Sequence, residues 1–309
     1  MYHFITNPTS SGGRGIDHWH EIEEYLKQNN IEYQLHTTEY DRRAREIAAD
    51  LTAASEMVDI IVLGGDGSVN ETVNGIRDLT KVRLGYIPTG SGNDLARSLR
   101  LPKDRIKCLQ MILEGDNYRP IDVGFTQSEG LRRRFLISSG IGFDAAVCQG
   151  VEVSVLKKIL GRIGLGRLVY LGIALKQICQ LDGSSVTLQV DEGEEKTFSG
   201  MVFAAAMNHP YEGGGFLFCP KARDDDGKLD MCLVSDIGKL KVLMLLPTAF
   251  FGKHVLFKKY VHIYSGSSYR IKASKRLNIH TDGEPVAVRS EFFASQEQEK
   301  LLFAAKYSV

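Results

Sequence analysis

Apolar positions in the first part of the chain recur with two alternating periods. Residues 2–6, 33–38, 60–63 and 84–87 are short runs rich in β-favouring residues. Between them lie amphipathic stretches. In residues 17–29, Trp19, Ile22, Tyr25 and Leu26 share one helical face, and Ala44, Ile47, Ala48 and Leu51 repeat that spacing. A third helix is expected from about Val69, and a fourth through Leu95, Ala96 and Leu99. Strand followed by helix, repeated, predicts a parallel sheet with helices on both faces.

After Asp122 the pattern changes. Runs at 135–142, 186–190, 201–207, 229–234, 269–273 and 277–280 are short, β-rich and separated by Gly, Asp, Ser and Lys. They predict a mostly antiparallel β-sandwich. One long helical segment interrupts them, at 154–181, with Lys157, Lys158, Arg162, Arg167 and Lys176 among Leu, Ile and Val. The expected division is an α/β domain over 1–125 and a β domain over 126–290. The apolar segment at the end, within 291–309, would dock back on the first domain.

Composition narrows the class. The 309 residues are 43 % apolar and 25 % charged, with 38 basic and 38 acidic side chains. Bulk charge therefore gives nucleic acid no purchase. The five cysteines, Cys108, Cys148, Cys179, Cys219 and Cys232, form no CxxC pair, which suits reduced thiols in a cytoplasmic protein. Residues 1–6 lack the charged start and long apolar core of a signal peptide. The most apolar later stretch, 242–252, holds Pro247 and is too short for the roughly 20 residues of a membrane span.

The chemistry concentrates where strands end in small residues. Gly64-Gly65-Asp66-Gly67-Ser68 follows residues 60–63, and Pro88-Thr89-Gly90-Ser91-Gly92-Asn93-Asp94 follows 84–87. A third loop, Asn7-Pro8-Thr9-Ser10-Ser11-Gly12-Gly13-Arg14-Gly15, follows the first strand. Glycines let backbone approach a ligand closely, and a helix starting after such a turn aims N–H groups at anionic oxygens. In a parallel sheet, ligands bind beyond the carboxyl ends of the strands. A GxxxxGKS or GxxxxGKT stretch is absent, so a P-loop does not supply the phosphate site. A nucleotide would instead be cradled by backbone N–H groups and small hydroxyls.

These motifs, with Ile121-Asp122-Val123-Gly124, Gly213-Gly214-Gly215, Asp226-Gly227-Lys228-Leu229-Asp230 and Asp282-Gly283-Glu284, occur in the order seen in the soluble bacterial diacylglycerol kinases. The chain resembles that family, relatives of the sphingosine kinases, over nearly its whole length. GGDGS alone would equally suit phosphofructokinases or NAD kinases; the run from Pro88 to Arg97 and the late motifs select the lipid-kinase branch. The resemblance implies a NAD-kinase/diacylglycerol-kinase-like fold with the active site between its two domains.

Carried over by position, the resemblance assigns ATP contacts to Asn7, Pro8, Thr9, Ser10, Ser11, Thr38, Gly64, Gly65, Asp66, Gly67, Ser68, Val69, Asn70 and Thr89. Ser68 stands where the family has threonine, and Ser11 lengthens the first loop. Asp66, Asp94 and Asp122 would form an acidic network near a catalytic Mg2+. Asp226, with the carbonyls of Arg223 and Lys228, would hold a structural Mg2+. Asp282 or Glu284 would take the proton from the lipid hydroxyl, although a DG pair joining two strands has the same sequence.

The resemblance implies phosphorylation of diacylglycerol to phosphatidic acid. A long-chain base, phosphatidylglycerol or undecaprenol as acceptor, and a non-catalytic nucleotide- or lipid-binding regulator, are the alternatives. A lipid acceptor implies peripheral contact with the inner face of a membrane. The basic, apolar stretches at 154–181 and 250–264 are candidates for that contact or for ordinary core helices with snorkelling cations. The family implies a possible homodimer.

Overall fold

The structure, a computed structural model, describes residues 1–8, 13–40, 43–54, 56–152, 176–178 and 182–306. The chain divides into two compact units, Met1–Val123 with Gln298–Val309, and Gly124–Glu297. The first unit holds β1 (Tyr2–Thr6), α1 (Gly15–Gln28), β2 (Tyr33–Thr37), α2 (Arg43–Leu51), β3 (Val58–Gly64), α3 (Asp66–Gly75), β4 (Val82–Pro88), α4 (Asp94–Ser98), α5 (Arg105–Leu113) and β5 (Tyr118–Ile121). The second holds β6 (Gly124–Ser128), β7 (Leu131–Phe135), β8 (Ser138–Gly142), α6 (Phe143–Glu152), β9 (Ser184–Val190), β10 (Lys196–Met201), β11 (Phe203–Met207) and β12 (Leu229–Val234). It continues with α7 (Lys239–Ala249), β13 (Val261–Gly266), β14 (Ser268–Thr281) and β15 (Glu284–Gln296), before β16 (Leu301–Ala304) returns to the first unit.

The six strands of the first sheet run in the order β2-β1-β3-β4-β16-β5. Central strand β3 carries the apolar run at residues 60–63, with Ile60, Ile61 and Val62 wholly buried, as a parallel strand covered on both faces requires. Trp19 docks α1 by standing edge-on to Phe4, with ring centroids 5.3 Å apart. Gly75 lets α3 approach α2 so closely that an added Cβ would lie 2.1 Å from the Arg45 carbonyl. The sheet is mostly rather than wholly parallel. Strand β16 pairs parallel with β4 but antiparallel with β5. It is held there by Leu301, Phe303 and Ala304, all fully buried.

The second unit is a ten-stranded sheet in which every strand pair is antiparallel. Strand β11 is buried on both faces because its residues alternate between two cores. Ala204 and Ala206 join Leu229, Met231 and Leu233 in one, and Phe203, Ala205 and Met207 join Cys232 and Val234 in the other.

Three elements depart from the sequence pattern. Residues 269–273 and 277–280 belong to the single strand β14, whose pairing with β15 shifts register between Lys272 and Leu277. One end of β14 pairs with β9 and the other with β8, so the irregularity lets one strand serve two neighbours. The run at 135–142 is broken between β7 and β8. Helices α6 and α7 lie in stretches where no helix was expected, α7 because apolar residues lie on every side and leave no amphipathic period. Most of the expected helical segment at 154–181 lies outside the described residues. Cys108, Cys148, Cys219 and Cys232 are free thiols, and Cys179 lies outside the described residues.

Candidate functional site

The two glycine turns of the first unit interlock. The Thr89 N–H donates to the Gly64 carbonyl at 2.8 Å, and a Cβ on Gly90 would stand 2.7 Å from the Gly65 Cα. Only glycine permits that approach. Gly65 precedes the first turn of α3 with no side-chain hydrogen bond at the cap, a helix start of the kind that suits an anion. Ser68 packs beside Gly64, where a Cβ would meet its Oγ at 2.7 Å. Val69 turns into the core, and Asn70 is buried, accepting from Asn74 Nδ2 at 3.2 Å. These two side chains support the turn from within.

Asp66 links the turns. Its Oδ2 accepts the backbone N–H of Asp94 at 2.9 Å, and Oδ1 lies 3.4 Å from the Leu95 N–H and from the Tyr86 hydroxyl. Burial first, and then the Asp66 charge, push the Tyr86 phenol far above its ordinary range, so it remains a donor. Tyr86 also donates to Asn93 Oδ1 at 3.2 Å, and Asn93 takes the left-handed conformation (φ 51°) that directs the chain into α4. Asp94 itself pairs with Arg97. A Cβ on Gly92 would stand 3.6 Å from Asp66 Oδ2 and 4.0 Å from Asp94 Oδ2. Two carboxylates therefore border the gap that the missing side chain leaves. The third expected acid, Asp122, is buried and pairs with Lys300 at 2.8 Å.

At the neighbouring strand ends, the Thr38 N–H donates to the Thr6 carbonyl at 2.9 Å, bringing the loop after β2 beside that after β1. Asn7 and Pro8 follow β1 directly, whereas Thr9, Ser10 and Ser11 lie outside the described residues. Thr6 Oγ1 is buried without a hydrogen-bond partner among the described residues. A cavity of about 400 Å³, lined by His36, Thr37, Glu39, Tyr40, Arg43 and Ile47, opens at the end of β2. The sequence motifs do not flag Tyr40 or Arg43, because neither belongs to a glycine turn.

In the second unit, Asp282 and Gly283 join β14 to β15 in a two-residue turn with φ of 48° and 81°, the paired positive values of a type I′ hairpin. The Asp282 carboxylate accepts three successive backbone N–H groups, from Leu136 at 2.9 Å, Ile137 at 2.7 Å and Ser138 at 3.0 Å. Those donors are lost to a strand ladder, which breaks the run at 135–142 into β7 and β8. Glu284 opens β15 and is half-buried.

Behind this turn lies a cluster that the motifs did not name as a site. His280 is fully buried, with Nε2 3.0 Å from Asp144 Oδ2 and 3.1 Å from Glu212 Oε1. Its Nδ1 accepts the Gly283 N–H at 3.2 Å. Burial lowers the proton affinity of this ring, but the facing Glu212 and Asp144 carboxylates overcome that and hold it well above its ordinary value. The three side chains are close enough to hold a cation. The available signal was the triple glycine. Gly213, Gly214 and Gly215 all have positive φ and close a loop in which Glu212 and Phe216 exchange backbone bonds at 2.9 Å, fixing the position of Glu212. Gly140 is also required, since a Cβ there would stand 2.4 Å from His280 Nε2.

The loop before β12 folds on itself. Asp226 Oδ1 accepts the Lys228 N–H at 3.0 Å, Arg223 pairs with Asp225, and the Lys228 carbonyl accepts from Gln296 Nε2 at 2.8 Å. His209, buried nearby, has Nε2 3.8 Å from Asp224.

Residues 1–126 match the diacylglycerol kinase catalytic domain family, and residues 138–294 match the YegS C-terminal NAD kinase beta sandwich-like domain family. A Mycobacterium tuberculosis (strain CDC 1551 / Oshkosh) diacylglycerol kinase is 30 % identical over 281 residues, covering 91 % of this chain and 87 % of that protein. A Bacillus subtilis (strain 168) protein, provisionally named lipid kinase YtlR, is 29 % identical over 295 residues, with 91 % and 92 % covered. The crystal structure of a diacylglycerol kinase from Bacillus anthracis str. Sterne superposes with a TM-score of 0.71 at 19 % identity, covering 99 % of this chain and 96 % of that one, a likeness of fold. Two matched domains in the right order, and a relative aligned along nearly its whole length, lead to one conclusion: the chain belongs to the diacylglycerol kinase family and is a lipid kinase.

Proposed function

We propose that the protein transfers the γ-phosphoryl group of ATP to the hydroxyl of diacylglycerol, forming phosphatidic acid, in a Mg2+-dependent reaction. The observation that carries the reading is the pair of carboxylates, Asp66 and Asp94, bordering the Gly92 gap beside the uncapped start of α3. Oxygen donors around a small space suit a hard cation, and Mg2+ bound there would offset the charge of the phosphates.

The remaining roles fall to the chain itself. The loop of Asn7, Pro8, Thr9, Ser10 and Ser11, together with Thr38, residues 64–70 and Thr89, would hold the nucleotide, with N–H groups and hydroxyls on its phosphates. The cavity beside Thr38 is within the usual range for a small-ligand pocket and would take the base or ribose. Asp122, through Lys300, would complete the acidic network, and Asp226 with the carbonyls of Arg223 and Lys228 would hold a structural Mg2+.

Three of the roughly four lone-pair sites of the Asp282 carboxylate are taken by backbone N–H groups. We therefore assign Asp282 to holding the turn and Glu284 to removing the proton. As the lipid oxygen bonds to the γ-phosphorus, its proton passes to the Glu284 carboxylate and ADP departs with the electron pair of the broken P–O bond. The enzyme would act as a peripheral protein on the cytoplasmic face of the membrane, where ATP is supplied. No helix among the described residues is long and apolar enough to cross a membrane.

The test is phosphate transfer from labelled ATP in mixed micelles containing diacylglycerol, a long-chain base, phosphatidylglycerol or undecaprenol in separate reactions. Labelled phosphatidic acid as the dominant product is expected. Faster labelling of any other lipid overturns the acceptor assignment, and one relative known only as a lipid kinase makes that comparison necessary.

A further inference from the structure

Helix α7 carries a face that packing among the described residues leaves exposed. Its inner side is fixed by Val242 and Ala249, which join the core against β11 and β12. Leu240, Leu243, Met244 and Pro247 recur at the i, i+3, i+4, i+7 spacing of the opposite face. Leu240 is 70 % exposed and Met244 61 %. The chain then enters the single turn Lys253–Leu256, where buried His254 bonds the Phe218 carbonyl at 3.0 Å. Phe250 stacks on Phe216, with ring centroids 4.0 Å apart. These anchors hold the segment in place, yet Phe251 and Leu256 stand 74 % and 72 % exposed. Of the thirteen exposed large apolar side chains among the described residues, eight lie between Leu240 and Ile263.

The charges carried by this stretch of chain have one sign, although exposed Asp236 just before it lies near Lys241. No aspartate or glutamate occurs between Ile237 and Tyr264, whereas Lys239, Lys241, Lys253, Lys258 and Lys259 are all there and exposed, in a chain whose charges otherwise cancel. Apart from Lys239, Lys241 and Thr248, α7 is apolar, a composition more usual inside a protein core or at a membrane. With eleven residues, α7 is far short of the roughly 20 needed to span a bilayer. Apolar side chains ringed by lysines, on an anchored helix too short to cross, have the character of an interfacial element.

We propose that this face of the second unit lies on the surface of a bilayer rich in anionic lipid. Phe251, Leu256 and the outer side of α7 enter the headgroup boundary, and the five lysines meet acidic headgroups. This gives the lipid-acceptor reading, on which its purpose rests, a defined docking surface.

The test is co-sedimentation of the full chain with vesicles of equal parts phosphatidylglycerol and phosphatidylcholine, and with phosphatidylcholine alone, both free of diacylglycerol. Binding to the anionic vesicles that weakens with added salt is expected. The pair Phe251→Ser with Leu256→Ser, and the pair Lys253→Glu with Lys258→Glu, should each lower that binding by at least about tenfold. Both should leave the melting temperature, and turnover of a short-chain diacylglycerol dispersed as monomers, unchanged. Wild-type protein that stays in solution with both vesicles overturns the proposal, as do variants that bind like wild type. So does a loss of self-association on size exclusion with vesicle binding intact, since the occupant would then be a second copy of the chain. If vesicle binding responds as expected but no short-chain diacylglycerol is phosphorylated, the acceptor assignment fails and the docking surface stands.

Discussion

Asp66 accepts the backbone N–H of Asp94 at 2.9 Å, so the carboxylate that opens α3 also caps α4. One side chain thereby fixes the spacing of the two glycine turns and aims its own charge at the gap beside Gly92.

That dual role separates two substitutions. Asp66→Asn retains an oxygen for the Asp94 N–H but loses the charge, so thermal stability should change little while phosphate transfer falls by at least about a hundredfold. Asp66→Ala should also lose about 1 kcal/mol of stability with the cap. Thermal melts beside transfer rates check both, and normal turnover in Asp66→Asn would exclude a charge role for Asp66.

Asp282 and Glu284 should behave differently although only Gly283 separates them. Asp282→Asn turns an amide NH2 toward backbone N–H groups that now meet a carboxylate, leaving a buried donor unsatisfied at a cost of about 1–3 kcal/mol. Glu284→Gln should fold like wild type and lose about 10²–10⁴ in turnover. Denaturant titration and single-turnover assays distinguish the two; an active Glu284→Gln removes it as the base.

The buried cluster makes stability depend on pH. Burial depresses the His280 proton affinity, but Glu212 and Asp144 raise it well above the usual 6.5, so folding takes up a proton between the two values. This stabilisation is complete below about 6.5 and fades as pH rises through the folded value. Melting temperatures recorded from about pH 6 to about pH 10 should fall with rising pH, and His280→Gln should flatten that slope. An unchanged slope in the variant would show that the proton resides elsewhere.

Metal removal gives an independent check on the loop before β12. If Asp226 holds a structural ion, Mg2+ should raise the melting temperature by mass action, and a chelator should reverse the rise. Asp226→Ala should abolish the Mg2+ response without touching Asp66 or Asp94. A response that survives this substitution assigns the stabilising ion to another site.

The strand-and-turn alternation of the first unit was readable because each strand is locally apolar and each turn needs glycine for close backbone approach, as at Gly65 and Gly90. The break at 135–142 was hidden because its cause, Asp282, arrives far along the chain. Strand β14 looked like two strands because polar residues occupy its irregular middle. Asp144 belongs to no motif; its meeting with Glu212 and His280 is created by the β sheet. Helix α7 escaped notice for the opposite reason, since apolar residues on every side leave no period to detect.

Strand β16 sits between β4 and β5, although the whole second unit is translated before it. During synthesis, the first sheet must therefore wait with β4 paired to β3 but open on its other side, while the β-rich unit emerges. Strand β16 acts as a latch on the first unit. Completion of the first unit is thereby tied to the arrival of residues 301–304, and a chain stopped shortly before them would expose a strand edge open to wrong partners.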